Sequence, residues 1–292
     1  MGWGPKSTRT TAQRRARPAG LTACVLWCFV PMLSAHAQVD PATGIDFVTV
    51  GAVGNAAYPG DGTPGDRSAG RGGVNFEYRI GRYEVTTSQW TEFFNAAFDR
   101  PANDLIPHLL RPVTLGAVPT TPTTPGARLW SVPAGNEMRP VGNISWRMAA
   151  IYCNWLHNGK STNREAFLSG AYDVSTFGAS GPLGDIFTDQ FERSPGAQYF
   201  IPTWDEWLKA AHYDPNKANG DGTIGGWWQC SNGSDTPYVY GPPGVLVDGQ
   251  GATANAGWSV QYPGLDPLRV NLGAYPARKA PGASSRRGGR NQ

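Results

Sequence analysis

Glycine and proline decide most of what this chain can become. Its 292 residues include 38 Gly and 25 Pro, more than a fifth of the chain, against about 12% in an ordinary soluble domain. In a helix interior each glycine costs about 1 kcal/mol and each proline about 3 kcal/mol relative to alanine. Long helices, helical bundles and coiled coils are therefore excluded. The chain is not disordered in consequence, because 40% of its residues are hydrophobic, 16% are charged and 11 are Trp. That load can bury a core. One loop-rich domain of mixed α and β structure satisfies both constraints.

The formal charge of +3 conceals an uneven distribution. Residues 1–37 carry Lys6, Arg9, Arg14, Arg15 and Arg17 with no acid, and residues 278–292 carry Arg278, Lys279, Arg286, Arg287 and Arg290 with no acid. Removing those ten from 25 basic residues leaves 15 against 22 acidic ones, a net of −7 for the body. An acidic body argues against nucleic acid as a partner. The beginning reads as a secretory signal peptide: a basic stretch, the apolar run Leu21 to Leu33, and Ala35-His36-Ala37 as a cleavage site. That run is too short to span a bilayer comfortably. Export to the periplasm or the exterior is expected, with no membrane span after cleavage; a retained membrane anchor is the other reading. Residues 278–292 lack aromatic, acidic and large aliphatic side chains, and are expected to form a disordered basic tail.

Of four cysteines, Cys24 and Cys28 leave with the leader, so the mature chain keeps Cys153 and Cys230. An oxidising compartment permits one bridge between them; two buried thiols, or one buried and one paired elsewhere, is the other reading. Cys153 falls inside a predicted helix rather than at its N-terminus, which does not favour a reactive thiolate.

Alternation predicts strands over 45–53 and 76–85. Thr86 to Gln89 fits a capping box opening a first helix through Trp90, Phe93, Phe94 and Ala97. Residues 101–143 read as a long surface excursion. Ser145 caps a second helix over 146–157, ended by Asn158-Gly159. Thr203 to Glu206 is another capping box, whose helix is expected to turn Trp204, Trp207, Leu208 and Ala211 inward. Asp205, Glu206, Lys209 and His212 then serve the helix dipole. Beyond Asp214 the chain is expected to be loops and short strands.

Site chemistry is sparse. His108, His157 and His212 show no zinc-binding spacing, and no nucleophile elbow or phosphate-binding loop occurs. Asp61 and Asp66 sit in a turn-rich loop, read as solvated rather than cation-holding. The stretch 214–222 fails as a calcium loop, having Ala218 at a ligand position and no closing Glu.

Several stretches together resemble the formylglycine-generating enzyme family, also called sulfatase-modifying factors. They are Tyr83-Glu84-Val85-Thr86 with Gln89-Trp90, then Arg139-Pro140-Val141 with Ile144-Ser145-Trp146, and Ala149-Ala150-Ile151-Tyr152-Cys153-Asn154-Trp155-Leu156. Ile201-Pro202-Thr203-Trp204-Asp205-Glu206-Trp207 follows, with Ile201 where the family usually has leucine and Phe200 where arginine is common. Ala254-Asn255-Ala256 and Val270-Asn271-Leu272-Gly273-Ala274-Tyr275-Pro276 complete the set. The resemblance implies an α+β, modified C-type-lectin-like fold, with residues 38–277 as its domain. It implies for the family an oxidation of a sulfatase cysteine to formylglycine, using dioxygen and copper held by a cysteine pair.

The resemblance stops at Pro276, before the family's segment that carries that pair. No residue here therefore receives a catalytic role, and copper has no ligand pair. The tail reads as a shifted frame or truncated gene model. Asn255, with the Ala256 carbonyl, and Asp266 resemble family calcium positions. Partners implied are a sulfatase or another exported protein; the alternative is a non-catalytic, lectin-like binding or envelope protein. A third reading, an unstable fragment, follows if core-forming segments are missing.

Overall fold

The computed structural model describes residues 38–112, 116–120, 130–255, 262–266 and 269–275; the expected leader, 1–37, and the expected basic tail, 278–292, lie outside them. The described residues fall within one unit, Ser34–Gln292. Three antiparallel strands open it: β1 (Gln38–Val39), β2 (Asp46–Val50) and β3 (Tyr78–Gly81), in that order across the sheet. Both longer strands are shorter than alternation alone predicts, because pairing runs only from Phe47↔Gly81 to Val50↔Tyr78.

Helix α1 (Thr87–Phe98) begins where its capping box places it. The Thr86 hydroxyl accepts from the Gln89 N–H, and the Gln89 side chain accepts from the Thr86 N–H. Each satisfied orphan group stabilises the start by about 1 kcal/mol. Helix α2 (Trp146–His157) starts on Ser145, whose hydroxyl accepts from the Met148 N–H. It ends at Asn158, followed by Gly159 at φ 65°. The two helices bury Trp90, Phe93, Tyr152 and Trp155 against one another, with Trp90 stacked on Tyr152 at 5.4 Å. A short α3 (Glu165–Leu168) adds Phe167 to this core.

The amide of Asn154, fully buried on α2, ties the core to the chain that follows. Its Nδ2 donates to the Phe167 and Tyr172 carbonyls at 3.1 and 2.9 Å, and its Oδ1 accepts from the Tyr172 N–H at 2.7 Å. Residues 101–143 are not merely a surface excursion. Ile106, Leu109, Ala117 and Trp130 from that stretch enter the main core, and β4 (Val118–Pro119) pairs with β5 (Trp130–Ser131). Trp130 is held there by Asn95, which exchanges two hydrogen bonds with its backbone.

A hairpin of β6 (Ala179–Ser180) and β7 (Ile186–Phe187) leads to Asp189. This carboxylate meets the Arg147 guanidinium on α2 at 2.5 and 2.9 Å. The paired Arg147 holds the Asp189 carboxyl below the usual carboxylate range. With the folded value depressed, the pair stabilises the fold above the ordinary carboxylate range and loses that contribution as acid protonates it. Asp189→Asn is expected to cost about 2–4 kcal/mol at neutral pH. In paired melting curves, the gap to the parent protein should close as the pH falls below about 4.

The last helix, α4 (Trp204–His212), carries the second capping box on Thr203 and Glu206. It packs near a small core of Val50, Val74 and Tyr78 and runs directly into β8 (Tyr213–Ala218), which pairs with β9 (Ile224–Trp227). The stretch that fails as a calcium loop is thus a hairpin. Beyond it, β10 (Leu246–Val247) pairs with β11 (Gln250–Gly251). The final described segment docks back, Leu272 donating to the Met138 carbonyl at 2.7 Å.

Candidate functional site

Helix α4 is turned differently from its expected orientation. Leu208 is buried, but so are Glu206 and Lys209, while Trp204 and Trp207 remain half exposed, at 50% and 51%. The inversion has specific causes. Glu206 Oε1 accepts from Arg193 at 2.7 Å and Oε2 accepts from the Thr203 N–H at 2.7 Å. Lys209 Nζ donates to the Ala52 and Val74 carbonyls at 3.0 and 3.3 Å. Buried charges are tolerated only when so partnered. They occupy the inward face, and the two indoles point the other way.

Those indoles form one wall of a cleft of about 640 Å³. Trp227 and Trp228 line the same cleft, placed by the strand that returns beside the end of α4. The Trp228 N–H donates to the His212 carbonyl at 2.8 Å, and His212 Nδ1 lies 3.0 Å from the Trp228 carbonyl. Trp227 is flanked edge-on by Tyr58 and Tyr213, with ring centroids 5.6 and 5.2 Å away. The loop 58–68 closes the rim with Tyr58, Asp61, Asp66 and Ser68.

Gly72 lets the rim approach. Its N–H donates to Asp205 Oδ1 at 2.7 Å, its φ is +83°, and a Cβ there would lie 2.2 Å from the Trp227 ring. Gly72→Ala is expected to destabilise the protein by about 1–3 kcal/mol and to shift the emission maximum, since Trp227 must move. Unchanged melting and emission would show that this contact is absent.

The rim is anionic. The Thr63 N–H at 2.8 Å holds the Asp61 carboxyl below its usual range. Asp66 accepts from the Ser68 N–H at 2.8 Å. Burial pushes the Tyr58 hydroxyl upward, and the fields of Asp61 and Asp66 add to that rise. These two carboxylates stand in the solvated, turn-rich loop expected of them, and that loop borders the cleft. Among the described residues, no Lys or Arg lines it.

Neither cysteine lines the cleft, although Cys230 directly follows Gln229, which does, and the candidate bridge between Cys153 and Cys230 is not formed: both are free and buried. Cys153 sits in the aromatic core on α2, where burial pushes its thiol up to about 12. Cys230 lies in a turn with its Sγ 3.4 Å from the Thr236 carbonyl, and its thiol is raised by burial and then by Asp235. Two separate protonated thiols do not fit copper, which takes thiolates. The calcium candidates lie apart from the cleft's lining. Asp266 is exposed and its carboxylate pairs with Arg269 at 2.9 Å, Asn255 is half-buried, and residue 256 lies outside the description. Among the described residues no three His, Cys, Asp or Glu side chains converge.

The histidines are structural in placement. His108 has φ 60° and packs edge-on near Phe177. His157 accepts from the Gln198 N–H at 3.2 Å through Nδ1, and His212 joins α4 to Trp228. The cleft escaped sequence reasoning because its parts are distant in the chain. One signal was present: Trp204, Trp207, Trp227 and Trp228 crowd into 25 residues.

A family model described as the sulfatase-modifying factor enzyme 1-like domain matches residues 45–263. No curated protein and no solved structure matches the chain.

Proposed function

The chain belongs to the sulfatase-modifying factor enzyme 1-like family, and on that premise we propose that it is an exported binding member of the family, working through the tryptophan cleft. The observation that carries this is the separation of chemistries. The cleft gathers five aromatic rings and two carboxylates without a thiol, while both thiols are buried outside it and held protonated. Large clefts with a few convergent polar groups are the usual ligand sites of small domains. Export is supported by the leader-like first 37 residues. Among the described residues, no helix is long and apolar enough to cross a membrane. The modified C-type-lectin-like arrangement is supported by short helices and by antiparallel pairing of the named strands among the described residues. Partners would be a sulfatase or another exported protein.

The family's own reaction, oxidation of a sulfatase cysteine to formylglycine, is the second reading, favoured by the match over 45–263. One assay separates the two. A peptide carrying a sulfatase-type cysteine is incubated with the protein, copper(I) and dioxygen, then examined by mass spectrometry. The binding reading expects the cysteine unchanged. An aldehyde that forms with the parent protein but not with Cys230→Ala would overturn it.

A further inference from the structure

A helix that buries a glutamate and a lysine while turning two indoles outward reverses the ordinary partition of side chains. Exposed aromatic surface gathered into a cleft marks a binding site. What it binds can be read from the electrostatics of the walls. Indole and phenol faces carry negative quadrupoles, and a cation over such a face is attracted by about 0.5–2 kcal/mol, more when water is excluded. Here Tyr58, Trp204, Trp207, Trp227 and Trp228 surround the space, with Asp61 and Asp66 at its rim. Every one of these groups favours positive charge. Anionic ligands meet two carboxylates and, among the described lining residues, no Lys or Arg; the one imidazole there, His212, is engaged through Nδ1 with the Trp228 carbonyl at 3.0 Å.

The same wall already shows the interaction. Lys217 places its ammonium 4.4 Å from the Trp228 ring centroid, and is itself neutralised by Asp235 at 2.8 Å. The carboxylates at the rim are fastened by backbone N–H groups: Thr63 and Ser68 donate to Asp61 and Asp66 at 2.8 Å. They therefore present charge from fixed positions, without reorganising when a ligand arrives. A neutral saccharide would stack on the indoles but gain little from that charge. A strongly hydrated primary ammonium loses more water on entry than a methylated one.

We propose that the cleft binds a small organic cation of the quaternary or methylated ammonium class, stacked between Trp204/Trp207 and Trp227/Trp228 with Asp61 and Asp66 as counter-charges. This rests on the binding reading above and names its ligand.

The test titrates tetramethylammonium and choline into the purified protein, read by tryptophan emission and calorimetry. The uncharged tert-butyl analogue of choline and a panel of neutral saccharides are the comparisons. Saturable cation binding is expected, roughly tenfold tighter than the uncharged analogue. Trp204→Ala and Trp207→Ala each weaken it roughly tenfold; Asp61→Asn and added salt weaken it too. These side chains lie outside the two cores, and circular dichroism verifies that the variants fold. Equal affinity for the uncharged analogue, or binding of saccharides alone, overturns the ligand class while leaving a binding protein. Absence of any binding to the folded protein overturns the proposal. Failure of the binding reading itself shows separately, as aldehyde in the peptide assay.

Discussion

Glu206→Ala is expected to lower the melting temperature by roughly 10 °C, the largest loss for a single charged residue on α4. Glu206 is buried and performs three tasks from one position: its carboxylate accepts from Arg193 and from the Thr203 N–H, and its carbonyl accepts from the Tyr78 hydroxyl. Removing the side chain deletes half of the capping box, a loss of about 1 kcal/mol. It also strands the Arg193 guanidinium, which lies over the Phe200 ring at 3.8 Å. Breaking a buried ion pair from one side costs about 3–5 kcal/mol. Glu206→Gln keeps shape and one acceptor, and should recover about half the loss. Thermal unfolding of the two variants checks both statements. A Glu206→Ala melt within a degree or so of the parent protein would mean that α4 is not anchored as described.

The second large effect falls on α2. Asn154→Ala removes the partner of three buried backbone groups, the carbonyls of Phe167 and Tyr172 and the Tyr172 N–H. Each orphaned group costs about 1–3 kcal/mol, so the expected loss is about 4 kcal/mol, measurable in urea. Asn154→Asp is expected to be worse still, because it sets a carboxylate oxygen against two carbonyls. Asn158 repeats the device a turn later, donating to the Asn154, Ala166 and Ser169 carbonyls. The amide pair explains how a segment with little regular structure, 158–172, is fixed to the core without a longer helix.

The helices were the most legible part of the fold. Thr86, Ser145 and Thr203 each cap the helix that follows, because a cap and its third-residue partner are neighbours in the chain. Strand ends were less legible: β2 and β3 stop where pairing stops, which neither segment reveals alone. The inward face of α4 was misread because its determinants are remote. Lys209 finds its acceptor 157 residues away at Ala52, and its stem and ammonium displace the tryptophans that hydrophobicity would have buried. Proline and threonine make 101–143 look like surface in the sequence, whereas Trp130 and Ile106 reach the core.

The cleft has the same history. Tyr58, Trp204 and Trp227 come from three separate segments, and the Gly72–Asp205 hydrogen bond and the return of β9 beside α4 help bring them together. Asp61 and Asp66 looked like solvated turn residues, and by hydrogen bonding they are turn residues. Their placement against five rings gives them a second role.

Hydroxyl-radical footprinting of the folded protein, read residue by residue in a mass spectrometer, tests the central arrangement most directly. Trp204 and Trp207 should oxidise quickly, while Trp90, Trp155 and Cys153 stay protected until the chain unfolds. Rapid labelling of Cys153 alongside protected Trp204 and Trp207 would contradict it, since the reactive surface would then be the thiol and not the cleft.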